Sequence, residues 1–246
     1  MIIMILGMHR SGTSTLAGIM HMNNIVMGTY QNFWPRPLNQ NPKGFYENYD
    51  FRKINDRLLN NSGYDVKSYI TDIPEIDYHK KLSKKMRILI KESNLVNINW
   101  GWKDPRTCLT AFHWEKTIDS LNLREKFKVV FMVRRASSVS RSLKKRNNLS
   151  LEKGLQLWKV YNERAIKFCM DTKSPIYFCS FEDLLENPIV VCNSLFAFMG
   201  LSFDFDKVKN FIEPSISTSA IGDEVYYPSS IIELEEKIYS FVNEEK

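Results

Sequence analysis

Eight residues near the amino end, Gly7-Met8-His9-Arg10-Ser11-Gly12-Thr13-Ser14, have the types and spacing needed to hold an anion. Two glycines bound a tight turn and hydroxyl residues open the helical pattern that follows. Backbone N–H groups therefore converge at the positive end of a helix dipole. The G-x-x-x-x-G spacing is that of a nucleotide phosphate loop, but Thr13 stands where that loop places its lysine. Without a lysine on the β/γ-phosphates, ordinary ATP or GTP hydrolysis is disfavoured. The positive charge sits inside the turn instead, at Arg10.

Two further groups of charge stand at strand ends. Lys103-Asp104-Pro105-Arg106 closes one apolar run, and Arg134-Arg135 closes another, Lys128 to Val133. Arg134 can fork two N–H donors onto a phosphate, and Ser142, one to two turns into the next helix, adds a hydroxyl donor. Both meet one phosphate only if that helix folds back beside the strand end. Arg135 is a substitute anchor. Glu47 supplies a carboxylate after a loop, 28–46, that carries three prolines and two glycines. A connection of that length usually has a function. Its Phe33, Trp34, Phe45 and Tyr46 offer surfaces for the ring or sugar of a substrate. His9 is expected to pack sideways out of the turn.

The elements that must position these groups follow from periodicity. Ile2 to Leu6 is continuously apolar and β-branched, as a central parallel strand requires. Further strands are expected at Leu95 to Trp102, Lys128 to Val133 and Ile176 to Cys179. Helices are expected at Ser14 to Met22, from Glu47 to about Asn60, Pro74 to about Glu92, Leu109 to Leu121, Ala136 to Arg146, and Leu151 to Met170 capped by Ser150. A box at Ser180 to Asp183, a helix from Ile189 to Met199 closed by Gly200, and helices at Phe205 to Ile212 and Ile231 to Val242 complete the chain. Alternating strands and helices imply an α/β fold of three layers, with a central parallel sheet flanked by helices and ligands beyond the carboxyl ends of the strands.

The chain of 246 residues reads as one domain, with a helical region over about 204–246. Its formal charge of +6 suits an anionic ligand. The clusters Lys80-Lys81, Lys84-Lys85 and Lys144-Lys145-Arg146 lack interleaved aromatics, so they read as solvated helix faces and no nucleic acid is expected. Cys108, Cys169, Cys179 and Cys192 have no C-x-x-C spacing and read as small buried hydrophobes in a reducing compartment. The apolar start is too short for a signal segment, and no run reaches the ~20 apolar residues of a membrane span. A cytoplasmic protein is expected.

The first motif resembles the 5′-phosphosulfate loop of sulfotransferases that use 3′-phosphoadenosine 5′-phosphosulfate (PAPS). The run Val129 to Leu143 is similar to their 3′-phosphate site, although Ala136 replaces the usual proline. Asn41 to Asn48, Gly101 to Arg106, Ser142 to Arg146, Leu157 to Tyr161 and Phe181 to Pro188 look like bacterial members related to the tyrosylprotein sulfotransferases, and together they cover most of residues 1–200. The Arg-Lys-Gly segment that closes over PAPS in the cytosolic branch is not found, so the lid after Glu213 is unassigned. The resemblance implies a P-loop fold and PAPS as donor with PAP as product. Donor binding falls to Arg10, Ser11, Gly12, Thr13, Ser14, Arg134 and Ser142.

Chemistry, on the same resemblance, falls to Glu47 as general base, Lys103 near the bridging oxygen and Arg10 at the leaving phosphate. Asp104 and Arg106 are expected to pair and orient Lys103. No carboxylate follows a strand in the manner of a magnesium-binding P-loop enzyme, so no metal is expected. The acceptor is a small molecule, a glycan or a lipid-linked hydroxyl, less readily an amine. The rivals are a P-loop kinase for small molecules or nucleosides and an inactive PAP-binding protein. The donor has a site only if Arg134 comes to the Arg10 turn.

Overall fold

A computed structural model describes residues 1–28, 43–77, 79–212 and 227–244, together with the backbone of 33–34. Four parallel strands form the central sheet: β1 (Ile2–Leu6), β4 (Trp100–Lys103), β5 (Phe127–Val133) and β6 (Ile176–Ser180), in the spatial order β4-β1-β5-β6. β1 lies inside the sheet, which is why all five of its residues are buried. Its register, Ile2 beside Trp100 and beside Phe127, brings the carboxyl ends of three strands to one rim.

Side chains alternate across the sheet as a period of two demands. Met4, Phe131 and Trp102 face the layer of α2 (Tyr49–Asn61), α3 (Lys80–Val96), α4 (Thr107–Asp119), α6 (Leu151–Asp171) and α10 (Ser229–Glu244). Ile5, Met132 and Cys179 face α1 (Thr13–Met22), α7 (Phe181–Glu186), α8 (Pro188–Met199) and α9 (Phe205–Phe211). α5 (Ala136–Asn147) follows β5 and packs against α6, where a Cβ on Gly154 would press on Ser140. A two-residue antiparallel pair, β2 (Phe33–Trp34) with β3 (Glu47–Asn48), stands apart from this sheet. All four cysteines are buried and unpaired.

Several boundaries differ from the sequence expectation. Glu47 belongs to β3 rather than to a helix; α2 begins at Tyr49, with the Asn48 side chain accepting from Asp50 N at 3.0 Å. α3 begins at Lys80, six residues after Pro74, and runs on through Val96. The strand expected from Leu95 is therefore only Trp100–Lys103, and Leu95, Val96 and Ile98 are exposed. α3 takes the chain through Val96, and the residues between it and Trp100 meet the sheet through single bonds, Met1 N donating to Ile98 O at 2.6 Å and Val26 N to Asn99 O at 3.0 Å. Ser150 and Ser180 do cap their helices, accepting from Lys153 N and Asp183 N.

Candidate active site

β1 ends at Leu6, and the chain passes so close to β5 at Gly7 that a Cβ there would lie 2.6 Å from the Met132 carbonyl. The turn then takes Arg10 and Gly12 through the left-handed region, at φ 70° and 83°. Glycine enters that region freely and arginine does not. Gly12 starts α1 with no side-chain cap. Of the first-turn N–H groups, that of Thr15 bonds the Gly12 carbonyl at 2.9 Å, and those of Thr13 and Ser14 are placed to meet a ligand. The Ser11 hydroxyl is buried in the same turn with no hydrogen-bond partner among the described residues, which suits an anion held there.

Two neighbouring strand ends and one helix converge on this turn. From the end of β5, Arg134 Nη1 donates to the Arg10 carbonyl at 3.1 Å, and its guanidinium lies 4.6 Å over the Phe181 ring. From α5, Ser142 Oγ accepts from Arg10 Nε at 2.7 Å, so the helix does fold back beside the strand end. From β4, Lys103 Nζ donates to Glu47 Oε1 at 3.0 Å and to Ser14 Oγ at 3.2 Å. Lys103 is 1% exposed and Glu47 8%, which makes this a buried ion pair seated against the turn.

Charge in the site is unbalanced toward the positive. Burial, with Arg146 and Arg134 nearby, pushes the Arg10 guanidinium down to about 10, and burial likewise lowers Arg134. A bound anion would relieve that strain. Beneath Lys103, burial alone would raise the Asp104 carboxyl, but Arg106 at 2.8 Å and Asn55 at 2.8 Å outweigh it and hold the group below its ordinary value. His9 packs edge-on to Tyr161 at 5.8 Å, and burial, then Arg106, pushes it down to about 3.

Glu47, Lys103 and Ser14 thus come together, as do Arg10, Arg134 and Ser142. Arg135 does not join them: it bonds Glu235 at 3.1 Å and stacks 3.8 Å over Tyr239, both on α10. Arg146 is no simple solvated residue, since its guanidinium lies 5.7 Å over Phe45 and it borders a cavity with His9 and Arg10. Phe181 was not foreseen. It fills the space that the missing Cβ of Gly12 leaves and supports Arg134, and no spacing in the sequence signals either contact. Most of the aromatic loop, and residues 213–226, lie outside the described residues; Phe45 is buried and Tyr46 meets Phe211 edge-on at 6.1 Å. Among the described residues no group of three or more His, Cys, Asp or Glu could hold a metal ion, and no helix is long and apolar enough to cross a membrane.

The molecule is a parallel α/β sheet with a phosphate-type turn at the end of an inner strand and cations on the neighbouring strand ends. Its fold is the one seen in sulfotransferases. The sulfotransferase domain of the curacin biosynthetic pathway superposes with a TM-score of 0.62 at 16% identity, covering 97% of each chain. That of the Synechococcus PCC 7002 olefin synthase gives 0.61 at 15%, over 97% of this chain and 94% of the other. A sulfotransferase from Mycobacterium avium gives 0.51 at 11%, over 98% and 75%. No family model matches the sequence, and no curated protein does.

Proposed function

We propose that the protein is a sulfotransferase that moves a sulfuryl group from PAPS to the hydroxyl of a small-molecule, glycan or lipid-linked acceptor, with PAP as product. The observation that carries this reading is Lys103 Nζ lying between Ser14 of the turn and the Glu47 carboxylate. That contact sets a proton acceptor and a charge neutraliser beside an anion cradle. The Arg10, Arg134 and Ser142 contacts support one ligand with two anionic ends.

In this reading the acceptor oxygen forms a bond to sulfur as the bond from sulfur to the bridging phosphate oxygen breaks. Glu47 takes the acceptor's proton. Lys103 and the N–H groups of the turn, with Arg10, meet the charge that grows on the leaving phosphate. Arg134 and Ser142 hold the 3′-phosphate, and Asp104 fixes Arg106 beneath Lys103. None of these roles calls on a metal.

A thermal-shift titration tests the proposal. PAP should raise the melting temperature in the absence of Mg²⁺, and by more than ATP does, because a ligand stabilises in proportion to its affinity for the native state. Equal or greater protection by Mg-ATP would defeat it in favour of a kinase.

A further inference from the structure

α10 carries an acid on the stripe it turns toward the core. Ile231, Ile238 and Val242 are buried, and Phe241 stacks on Phe178 of β6 at 5.0 Å, so this side of the helix lies against the sheet. Glu235 stands four residues after Ile231 and three before Ile238, which puts it on the same stripe. Its neighbours Glu233 and Glu236 are exposed, whereas the Glu235 side chain is 13% exposed. A carboxylate is costly in such a position unless it is paired. Its partners explain why it stands there.

Those partners lie just past the end of β5. Glu235 Oε1 accepts from Ala136 N at 2.7 Å, and Oε2 accepts from Arg135 Nη1 at 3.1 Å. The amides on either side are also met from distant elements: Arg135 N donates to Glu182 Oε1 at 3.1 Å, and Ser137 N donates to Tyr227 Oη at 2.9 Å. Tyr239 in turn donates to Glu182 Oε2 at 2.7 Å. Helix starts leave N–H groups that need partners, and α5 has no side-chain cap of its own. Three successive N–H groups are thus answered by two acids and a phenol. Trp158 Nε1 fastens the residue before them, donating to the Arg134 carbonyl at 2.9 Å. The first turn of α5 is filled by the protein's own carboxylate and is not open to a ligand. What it governs is the backbone from which Arg134, two residues before Ala136, and Ser142, six after it, reach the Arg10 turn.

We propose that Glu235 is a positioning residue of the donor site: it fixes the start of α5, and through it sets Arg134 and Ser142 in the arrangement that accepts a 3′-phosphate. What those two residues bind rests on the sulfotransferase reading. Ala136 occupies the first helical position, where a proline would need no partner because it has no N–H. The Arg135 backbone, at ψ 132°, already lies outside the helical region, as a following proline demands. With alanine in that place the N–H must be answered, and Glu235 answers it. The two solutions exclude each other, since a proline ring carbon would take the place of the proton that Glu235 accepts at 2.7 Å.

The test measures PAP and adenosine 5′-monophosphate (AMP) by calorimetry on the wild-type protein, Glu235→Ala, Ala136→Pro and the double variant. AMP is PAP without its 3′-phosphate, so the ratio of the two affinities reads that end of the ligand alone. Wild type should favour PAP by ~10²-fold, the ratio that two charge-assisted hydrogen bonds supply. Glu235→Ala should cut the ratio ~10-fold, the worth of one hydrogen bond to a charged group, while AMP binds as before. Ala136→Pro should cut it likewise, and the double variant should restore most of it, a non-additivity expected of two groups in contact. A Glu235→Ala protein with the wild-type ratio overturns the inference and leaves the donor reading standing. Loss of AMP and PAP together in Glu235→Ala also overturns it, since Glu235 would then serve the fold at large, and so does a double variant no better than the singles. Equal binding of PAP and AMP to wild type removes the 3′-phosphate reading itself, and the inference falls with it.

Discussion

At the scale of single residues, the site turns on how its buried groups are partnered. Glu47 and Lys103 are a buried ion pair that Ser14 shares through Lys103 rather than an isolated one, and breaking a buried pair from one side costs more than the pair contributes. Glu47→Gln keeps the shape and one hydrogen-bond acceptor toward Lys103 but removes the carboxylate proposed as the proton acceptor. Sulfation measured with labelled PAPS should fall ~10²-fold or more while the PAP thermal shift survives; an unchanged rate would move the base to another residue. Gly12 presents the reverse case, where absence of a side chain is the requirement. At φ 83° an alanine costs about 1–3 kcal/mol in backbone strain, and its Cβ would overlap the Phe181 ring. Urea denaturation of Gly12→Ala should show a loss of at least about 2 kcal/mol, and PAP binding should weaken as Phe181 is pushed against Arg134. The need for glycine was legible in the loop motif, whereas the ring that enforces it, 169 positions further on, was not.

At the scale of elements, the end of β4 is held by a polar hub inside the helical layer. Asn55 of α2 donates from Nδ2 to Asp104 at 2.8 Å and Thr107 at 3.1 Å, and its Oδ1 accepts from Thr110 and from Trp114 Nε1, both at 2.8 Å. Every polar atom of that side chain is satisfied, and α2, β4 and α4 are fastened by it. Asn55→Ala would leave several buried partners unpaired at about 1–3 kcal/mol each, so a loss of about 3 kcal/mol or more is expected by urea melt. Above the hub, Phe51 stacks on Trp102 at 4.8 Å and packs 4.9 Å from Trp114. The sequence announced α2 through the spacing of Phe51, Ile54, Leu58 and Leu59, all of which are buried. Its start was misplaced because Glu47 continues the polar pattern of a first helical turn, and only the pairing of Trp34 with Glu47 makes that residue a strand. The exposed Leu95, Val96 and Ile98 show the same limit: propensity proposes a strand, and a partner edge disposes of it.

At the scale of the whole molecule, enclosure of the site has a titration consequence. His9 is pushed down to about 3 in the folded protein against about 6.5 in an unfolded chain. A depressed folded value means that the unfolded state binds the extra proton first as pH falls. The stability His9 contributes is therefore complete above pH ~6.5 and is lost progressively toward pH ~3, at about 1.4 kcal/mol per pH unit. Between pH 6.5 and 5 the wild-type protein should lose about 2 kcal/mol that a His9→Gln variant does not lose, as read from urea melts across that range; parallel slopes would show that His9 is solvated. The sequence by itself determined the strand, turn and helix at the amino end, the parallel α/β order, the burial of the cysteines, and the residue types at each strand end, because periodicity and glycine placement are local properties of the chain. Only the tertiary structure decided which of those groups meet. Arg10 reaches Ser142 across 132 positions, Lys103 reaches Glu47 across 56, and Arg146 turns from a surface cation into the mouth of a cavity. Sheet order and helix packing set those encounters, and they follow from burying the whole chain at once rather than from any stretch of it.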